Sequence, residues 1–195
     1  MQQSLMIGAL TPVAAILNQL QVQWYLCGSV ASSIHGVART TVDADIVADL
    51  TIAHVNPLIE NLQDEFYISQ SAVTEAIARK RSFNAIHLTT SFKVDVFALK
   101  SRAFDKHTIA RIRPAVLSEH GEDLPVVVAS AEDTILSKLE WYRKGNEISE
   151  RQWEDILGIF RIQRNALELD YLKRWSSDIG VGDLLDRAYR ELQPE

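Results

Sequence analysis

The chain has 195 residues, a formal net charge of −6 at pH 7 and a single cysteine. This length allows one domain or two small lobes. The acidic balance argues against a protein that coats nucleic acid through a broad basic surface, because that binding mode needs many Lys and Arg contacts to phosphates.

Three features bear on the compartment. No run of about 18 apolar residues is present, so neither a membrane-spanning helix nor a membrane partner is expected. The N-terminal stretch lacks the basic start of a signal peptide and is interrupted by Pro12. Cys27 has no second cysteine to pair with, which excludes a disulfide within the chain. Together these features predict a cytoplasmic protein.

The first predicted elements lead to a polar corner. Thr11 and Pro12 predict the N-cap and first residue of a helix, with apolar residues following at helical spacing. A short apolar strand over residues 24–27 ends at Gly28-Ser29, where a helix of one to three turns begins. Because a helix N-terminus binds anions and glycine allows close approach, Gly28 and Ser29 predict a phosphate-binding corner. The alternative is an ordinary turn with Ser29 as N-cap.

The next strand carries two acids, Asp43 and Asp45, among apolar neighbours. Side chains two residues apart in a strand point to the same face, so the two carboxylates project together. Adjacent carboxylates repel each other, and each raises the pKa of the other unless a cation lies between them. Since Mg²⁺ prefers hard oxygen ligands, the pair predicts a magnesium site. The alternative is a solvated acidic pair.

A third acid, Asp95, follows on a later strand. Helices are predicted over 53–63 and 72–80, and strands over 66–68, 82–89, 91–99, 116–117 and 124–128. The two runs that flank residue 90 predict a β-hairpin, whose second arm carries Asp95 on the same face as Lys93. An isolated acid in such a strand usually marks an exposed face, and the earlier acidic pair is what favours a shared site.

The chain becomes helical after Ala129, with Ser130 and Ser149 as predicted N-caps. Helices are predicted from these two caps and over 170–177 and 182–192. We therefore expect an α+β protein with a mixed-sheet lobe and flanking helices at residues 1–129 and a small helical lobe at residues 130–195. A ligand is expected in the cleft between two such lobes.

This order of motifs resembles the nucleotidyltransferase superfamily of the DNA polymerase beta type. The shared pattern is a Gly-Ser corner, a spacer, an Asp-x-Asp pair on an apolar strand and a later isolated Asp. The spacer contains GVARTT at residues 36–41, which is similar to the G-x-x-R-x-T/S segment of bacterial AbiEii-type nucleotidyltransferases. Many of those proteins are toxins of toxin–antitoxin pairs. The resemblance implies that residues 1–129 form the catalytic lobe and that the helical lobe completes the nucleotide cleft.

The resemblance also implies a ligand set. Two Mg²⁺ ions, about 3.5–4 Å apart, would clamp the reacting groups of an NTP substrate and an acceptor hydroxyl. The implied metal ligands and catalytic residues are Asp43, Asp45 and Asp95. The implied nucleotide-binding residues are Gly28, Ser29, Arg39, Lys138 and Arg143.

Three of these nucleotide-binding residues are cations, and two of them also have an interpretation that involves no ligand. The planar guanidinium of Arg39 fits phosphate oxygens. A solvent-exposed loop arginine that binds no phosphate is an equally good interpretation. Lys138 lies in SAEDTILSKLEWYR, which resembles a second-lobe segment whose helix-borne Lys contacts the triphosphate; a surface lysine beside Glu140 is the alternative. Arg143 resembles a further basic position of that lobe.

Three functions are compatible with this pattern. The first is Mg²⁺-dependent transfer of an NMP from an NTP to a hydroxyl on tRNA or protein, as a toxin that has a cognate antitoxin protein. The second is transfer to a small molecule of the antibiotic type. The third is a catalytically silent nucleotide-binding or partner-binding module with the same fold.

Overall fold

A computed structural model of the protein describes residues 2–119 and 122–192. Its helices are α1 (Gln2–Gln19), α2 (Gly28–His35), α3 (Val55–Leu62), α4 (Gln70–Arg79), α5 (Ala103–Ala110), α6 (Ala131–Lys144), α7 (Glu150–Gln163), α8 (Leu169–Asp178) and α9 (Gly182–Glu191). Its strands are β1 (Trp24–Leu26), β2 (Asp43–Ala48), β3 (Phe66–Tyr67), β4 (Ser82–His87), β5 (Lys93–Ala98), β6 (Arg113–Glu119) and β7 (Glu122–Val128). A 3₁₀ helix at Ile52–His54 precedes α3.

The described strands form one sheet in the order β3-β4-β5-β2-β1-β7-β6. The central pair β2 and β5 is parallel, whereas β4 and β5 form the antiparallel hairpin that the sequence predicts. No strand follows Val128 in the described part of the chain. The predicted α+β class, with a mixed sheet and later helices, is confirmed.

Alternation along the two central strands separates the core from a polar face. In β2 and β5 every second residue is buried, and the intervening residues are partly exposed. The buried members are Ala44, Ile46, Ala48, Val94, Val96 and Ala98. Because successive strand side chains point to opposite faces, the acids of both strands are placed on the other face.

The chain divides into two compact units. The first consists of residues up to Cys27 together with Thr40–Val128, and the second of Gly28–Arg39 together with residues from Ala129 onward. The single predicted lobe boundary, after Ala129, lies one residue from the division between Val128 and Ala129. The prediction differs from the structure in placing residues 28–39 in the first lobe, because α2 packs against α6 and α7.

The packing of α2 within the second unit depends on the glycine that follows it. A Cβ placed on Gly36 would lie 2.8 Å from the backbone nitrogen of Ile159 in α7. The end of α2 is also fixed by polar contacts, since His35 Nε2 lies 2.7 Å from the carbonyl oxygen of Ala129 and Gln163 donates to the His35 carbonyl. The first residue of the GVARTT segment is thus required by the close approach of two backbones.

Three local features differ from what the sequence predicted. Helix α1 does not begin at Thr11 but runs through Pro12, because its apolar stripe of Leu10, Val13 and Leu17 is almost fully buried and outweighs the lost hydrogen bond. Helix α5 was not predicted, since its sequence AFDKHTIA has little apolar periodicity. Strands β6 and β7 are longer than predicted and pair along seven positions.

None of the helices in the described ranges is long and apolar enough to cross a membrane.

Candidate functional site

Asp45 and Asp95 are direct neighbours in the sheet. The parallel register of β2 and β5 pairs Asp45 with Asp95 and Asp43 with Lys93. Laterally paired residues of adjacent strands point to the same face. The three predicted carboxylates therefore share one face of the first unit, as the alternation of both strands predicted, although the sequence does not give the register.

The polar face is fixed at both sides of β2. The backbone N–H of Cys27, at the end of β1, donates to the carbonyl oxygen of Asp45 over 2.9 Å. The Thr41 hydroxyl lies 3.0 Å from both the carbonyl oxygen and Oδ1 of Asp43. Thr41 therefore orients the first residue of the acidic pair.

Lys93 brings a positive charge into the acidic face. Its Nζ lies 2.7 Å from Asp95 Oδ2 and 3.7 Å from Asp43 Oδ2. The hydrogen bond to Asp95 raises the pKa of Lys93 above its ordinary value; burial opposes this shift, and the charges of the three aspartates add to it. Lys93 is therefore a protonated ammonium that neutralises part of the acidic face.

One carboxylate oxygen of this cluster lacks a hydrogen-bond partner. Asp95 Oδ1 is buried and accepts no hydrogen bond, an uncommon state for a buried acceptor. Three carboxylates on one face form the hard oxygen set that suits Mg²⁺, and a cation would satisfy this oxygen. As the side chains stand, however, no three His, Cys, Asp or Glu residues within 2–119 and 122–192 are positioned to hold a metal ion.

The glycine-serine corner begins helix α2 in the second unit. Gly28 has φ of 57°, a left-handed conformation that glycine adopts without strain. Ser29 is buried and is the second residue of the helix, so it is not the N-cap. Its carbonyl oxygen accepts a hydrogen bond from Ser32 Oγ.

Arg39 and Lys138 converge on the carboxylate of Asp155 in the second unit. Nε and Nη2 of Arg39 each lie 2.8 Å from an oxygen of Asp155 on α7. Lys138 Nζ on α6 lies 2.8 Å from Asp155 Oδ2. The side chains of Asp155 and Lys138 are 7% and 9% exposed, so Lys138 is not the surface lysine of the alternative reading.

The charges of this trio leave an excess of positive charge. Burial raises the pKa of Asp155, but hydrogen bonds from Arg39 and Lys138 outweigh burial and hold the pKa below its ordinary value. Asp155 is therefore ionised at neutral pH. One carboxylate shared by two cations leaves one net positive charge on the three side chains.

Arg143 lies in a different charge environment. Its Nη2 is 2.6 Å from Asp183 Oδ2, and its guanidinium also pairs with Glu147. Two carboxylates around one guanidinium leave one net negative charge. Arg143 is therefore not part of the Asp155 trio.

A depression of about 410 Å³ lies in the first unit and contains none of the predicted site residues. Asp49 and Leu99 line it, and they follow the last residues of β2 and β5, so it is at the strand ends opposite Asp43. Three lysines also line it: Lys80, Lys100 and Lys106. This basic depression is a local positive surface on an acidic chain.

Solved structures resemble the chain over most or all of its length. The solution structure of the antibiotic-resistance factor ANT(2'')-Ia matches with a TM-score of 0.59 at 11% identity, covering 99% of this chain and 100% of that one. A nucleotidyltransferase-like protein from Paracoccidioides brasiliensis matches with a TM-score of 0.52 at 15% identity, covering 91% and 90%. The chain has a nucleotidyltransferase fold.

A third structure with this fold is the lincosamide antibiotic adenylyltransferase LnuA bound to lincomycin. It matches with a TM-score of 0.50 at 16% identity and covers 80% of this chain and 96% of its own. No protein-family profile matches the chain, and no curated protein matches its sequence. The closer likeness to AbiEii-type proteins stays a prediction.

Sequence reasoning missed two polar residues on the acidic face of this nucleotidyltransferase fold. Lys93 was placed on the same face as Asp95, but its charge was not weighed, although a spacing of two residues in a strand was the available signal. Asn84 on β4 lies opposite Asp95 in the antiparallel register. Nothing in the sequence around Asn84 distinguishes it from an exposed strand residue.

Proposed function

We propose that the protein transfers an NMP from an NTP to an acceptor hydroxyl in a reaction that requires Mg²⁺. One observation carries this proposal: Asp45 and Asp95 are register neighbours on parallel strands, and Asp43 lies on the same face. The nucleotidyltransferase fold supports the same reaction class. A fold alone does not define an activity, so the proposal rests on the three carboxylates and not on the fold.

Each aspartate of the acidic face would have its own role in binding the two metal ions. Asp43 and Asp45 would hold both ions, and Asp95 would hold the ion on the side of the attacking hydroxyl. Bound Mg²⁺ supplies charge stabilisation at the phosphoryl oxygens and lowers the pKa of a coordinated hydroxyl. Thr41 would keep the Asp43 carboxylate in one orientation through its 3.0 Å contact.

The phosphates of the NTP are assigned to residues of the second unit. Gly28 and Ser29 would offer backbone N–H groups at the start of α2. Arg39 and Lys138 would offer their cationic side chains to the phosphate oxygens. Arg143 was predicted to join this set, but its two carboxylate partners make it the weakest member.

A direct test is to incubate the protein with labelled NTPs, Mg²⁺ and a panel of acceptors. We expect transfer of label by the unaltered protein, and a decrease of at least about 100-fold in Asp45→Asn, because removing even an outer-shell metal partner costs 10–100-fold. Asp64→Asn is the matched control, since Asp64 is an exposed aspartate in the same unit. Equal transfer rates in all three proteins would exclude Asp45 as a metal ligand of the reaction. No turnover with any acceptor would instead favour a catalytically silent module.

The acceptor panel separates two classes. Bulk tRNA and cell protein test the toxin-type reaction that the AbiEii resemblance implies, in which an antitoxin protein would be the regulating partner. Aminoglycosides and lincosamides test the small-molecule reaction, which the names of the ANT(2'')-Ia and LnuA structures favour. We rank RNA first, because the basic depression provides the local positive surface that a chain of net charge −6 needs to meet a polyanion.

A further inference from the structure

Lys93 is a cation built into the carboxylate cluster that the proposed function assigns to Mg²⁺. Its ammonium contacts Oδ2 of both Asp95 and Asp43. The backbone fixes this arrangement, because Lys93 is the register partner of Asp43 and is two residues before Asp95. The contact therefore follows from strand pairing and does not depend on a loop conformation.

An ammonium and a divalent ion would compete for the same oxygens. Three carboxylates and one ammonium carry two net negative charges, so the cluster still attracts cations. A divalent ion that uses Asp43 and Asp95, however, must take the oxygens that Lys93 now contacts. Mg²⁺ also demands near-octahedral geometry and sheds its water reluctantly, so an ammonium among its ligands weakens its binding.

The side chain of Lys93 can leave the cluster without a change in the backbone. It is 36% exposed and has a flexible four-carbon stem. A nucleotide phosphate is an alternative partner for a displaced ammonium, and it brings a divalent ion with it. Free metal ions bring no such partner.

We propose that Lys93 is a tethered competitor which keeps free divalent ions from the carboxylates and yields its place to the metal–nucleotide complex. Lys93 is thus a residue that determines ligand specificity: the site selects metal-bound NTP over free metal ion. This inference rests on the proposed function, because it takes Asp43, Asp45 and Asp95 as the metal ligands.

The test measures Mn²⁺ binding by calorimetry and by the loss of the free-ion EPR signal, without nucleotide. We expect Lys93→Met to bind Mn²⁺ at least about tenfold more tightly than the unaltered protein, which corresponds to about 1.4 kcal/mol. Lys173→Met is the matched control because Lys173 is an exposed lysine outside both the acidic face and the basic depression; the same change in net charge should alter Mn²⁺ affinity less than twofold. Lys93→Arg keeps the positive charge and should bind Mn²⁺ weakly.

A second arm adds a non-hydrolysable ATP analogue, so that failure of this inference can be told apart from failure of the proposed function. If Lys93→Met and the unaltered protein bind free Mn²⁺ equally, or if Lys93→Arg binds as tightly as Lys93→Met, the inference is wrong; the function survives if the Mn²⁺–analogue complex still binds. If no protein binds Mn²⁺ in either arm, both are wrong. Circular dichroism of each variant verifies that it is folded, and Lys93→Gln replaces Lys93→Met if the latter is not.

Discussion

Arg39 and Asp155, 116 positions apart in the sequence, form a two-point ion pair with both N···O distances at 2.8 Å. The pair joins the segment after α2 to helix α7 within the second unit. Lys138 adds a third contact to the same carboxylate. One buried acid thus holds two of the cations that the sequence assigned to phosphate binding.

Replacing this acid should lower stability. Asp155→Asn removes the carboxylate that pairs with the buried Lys138 and the partly exposed Arg39, and breaking a buried ion pair from one side typically costs about 3–5 kcal/mol. We expect a clear decrease in thermal midpoint at pH 7. Asp186→Asn, which alters an exposed aspartate of the same unit, is the control and should have little effect.

The same substitution predicts a pH dependence. The pKa of Asp155 is lowered in the folded protein, so its contribution is complete above the unfolded-state pKa of about 4 and is lost as pH falls through the lower folded-state value. The difference in thermal midpoint between the unaltered protein and Asp155→Asn should be constant from about pH 8 to pH 5 and shrink below about pH 4. A difference that does not change down to pH 3 would argue against the ionised trio.

The sequence predicted those parts of the site that depend on local periodicity. Alternation along β2 and β5 was enough to place Asp43, Asp45 and Asp95 on exposed strand faces. It was not enough to pair Asp45 with Asp95, because register depends on contacts between strands that are distant in the sequence. The Arg39–Asp155 ion pair could not be predicted for the same reason, because no spacing rule relates two residues on separate elements.

Replacing Gly36 tests the close approach of α2 and α7, and replacing Gly8 in the first unit is the comparison. Gly36→Ala would place a Cβ against backbone atoms at 2.8–3.0 Å, and such overpacking typically costs about 1–3 kcal/mol. Gly8→Ala in α1 meets nothing within 4 Å, so it should instead stabilise by about 0.5–1 kcal/mol. Thermal unfolding followed by circular dichroism measures both, and opposite signs are expected. A stable Gly36→Ala protein would show that α7 can shift away at little cost.

Tyr171 tests how α8 is held to α6. Its hydroxyl donates to Oδ1 of Asp133 over 2.5 Å, and Ser130 Oγ donates to the other oxygen. Asp133 is fully buried, so Tyr171→Phe removes a donor from a buried carboxylate and should cost about 1–3 kcal/mol. Tyr67→Phe is the control, since Tyr67 is 68% exposed. Equal thermal midpoints for the two variants would contradict the assigned role.

The basic depression tests whether the acceptor is RNA. It lies at the strand ends opposite Asp43. Four residues separate Asp95 from Leu99 and six separate Asp43 from Asp49, which at about 3.3 Å each gives roughly 13–20 Å between the depression and the acidic face, a distance that a tRNA spans. The double variant Lys80→Gln, Lys106→Gln should therefore weaken tRNA binding at least about tenfold and lessen its salt dependence, while leaving NTP binding unchanged. The matched control is Lys144→Gln, Lys173→Gln, which removes the same charge from the second unit.

Fluorescence anisotropy with labelled tRNA between 50 and 200 mM salt, roughly the range over which phosphate contacts are most sensitive, measures the difference. Identical binding by both double variants would remove the depression from the RNA-binding surface and shift the preference to a small-molecule acceptor.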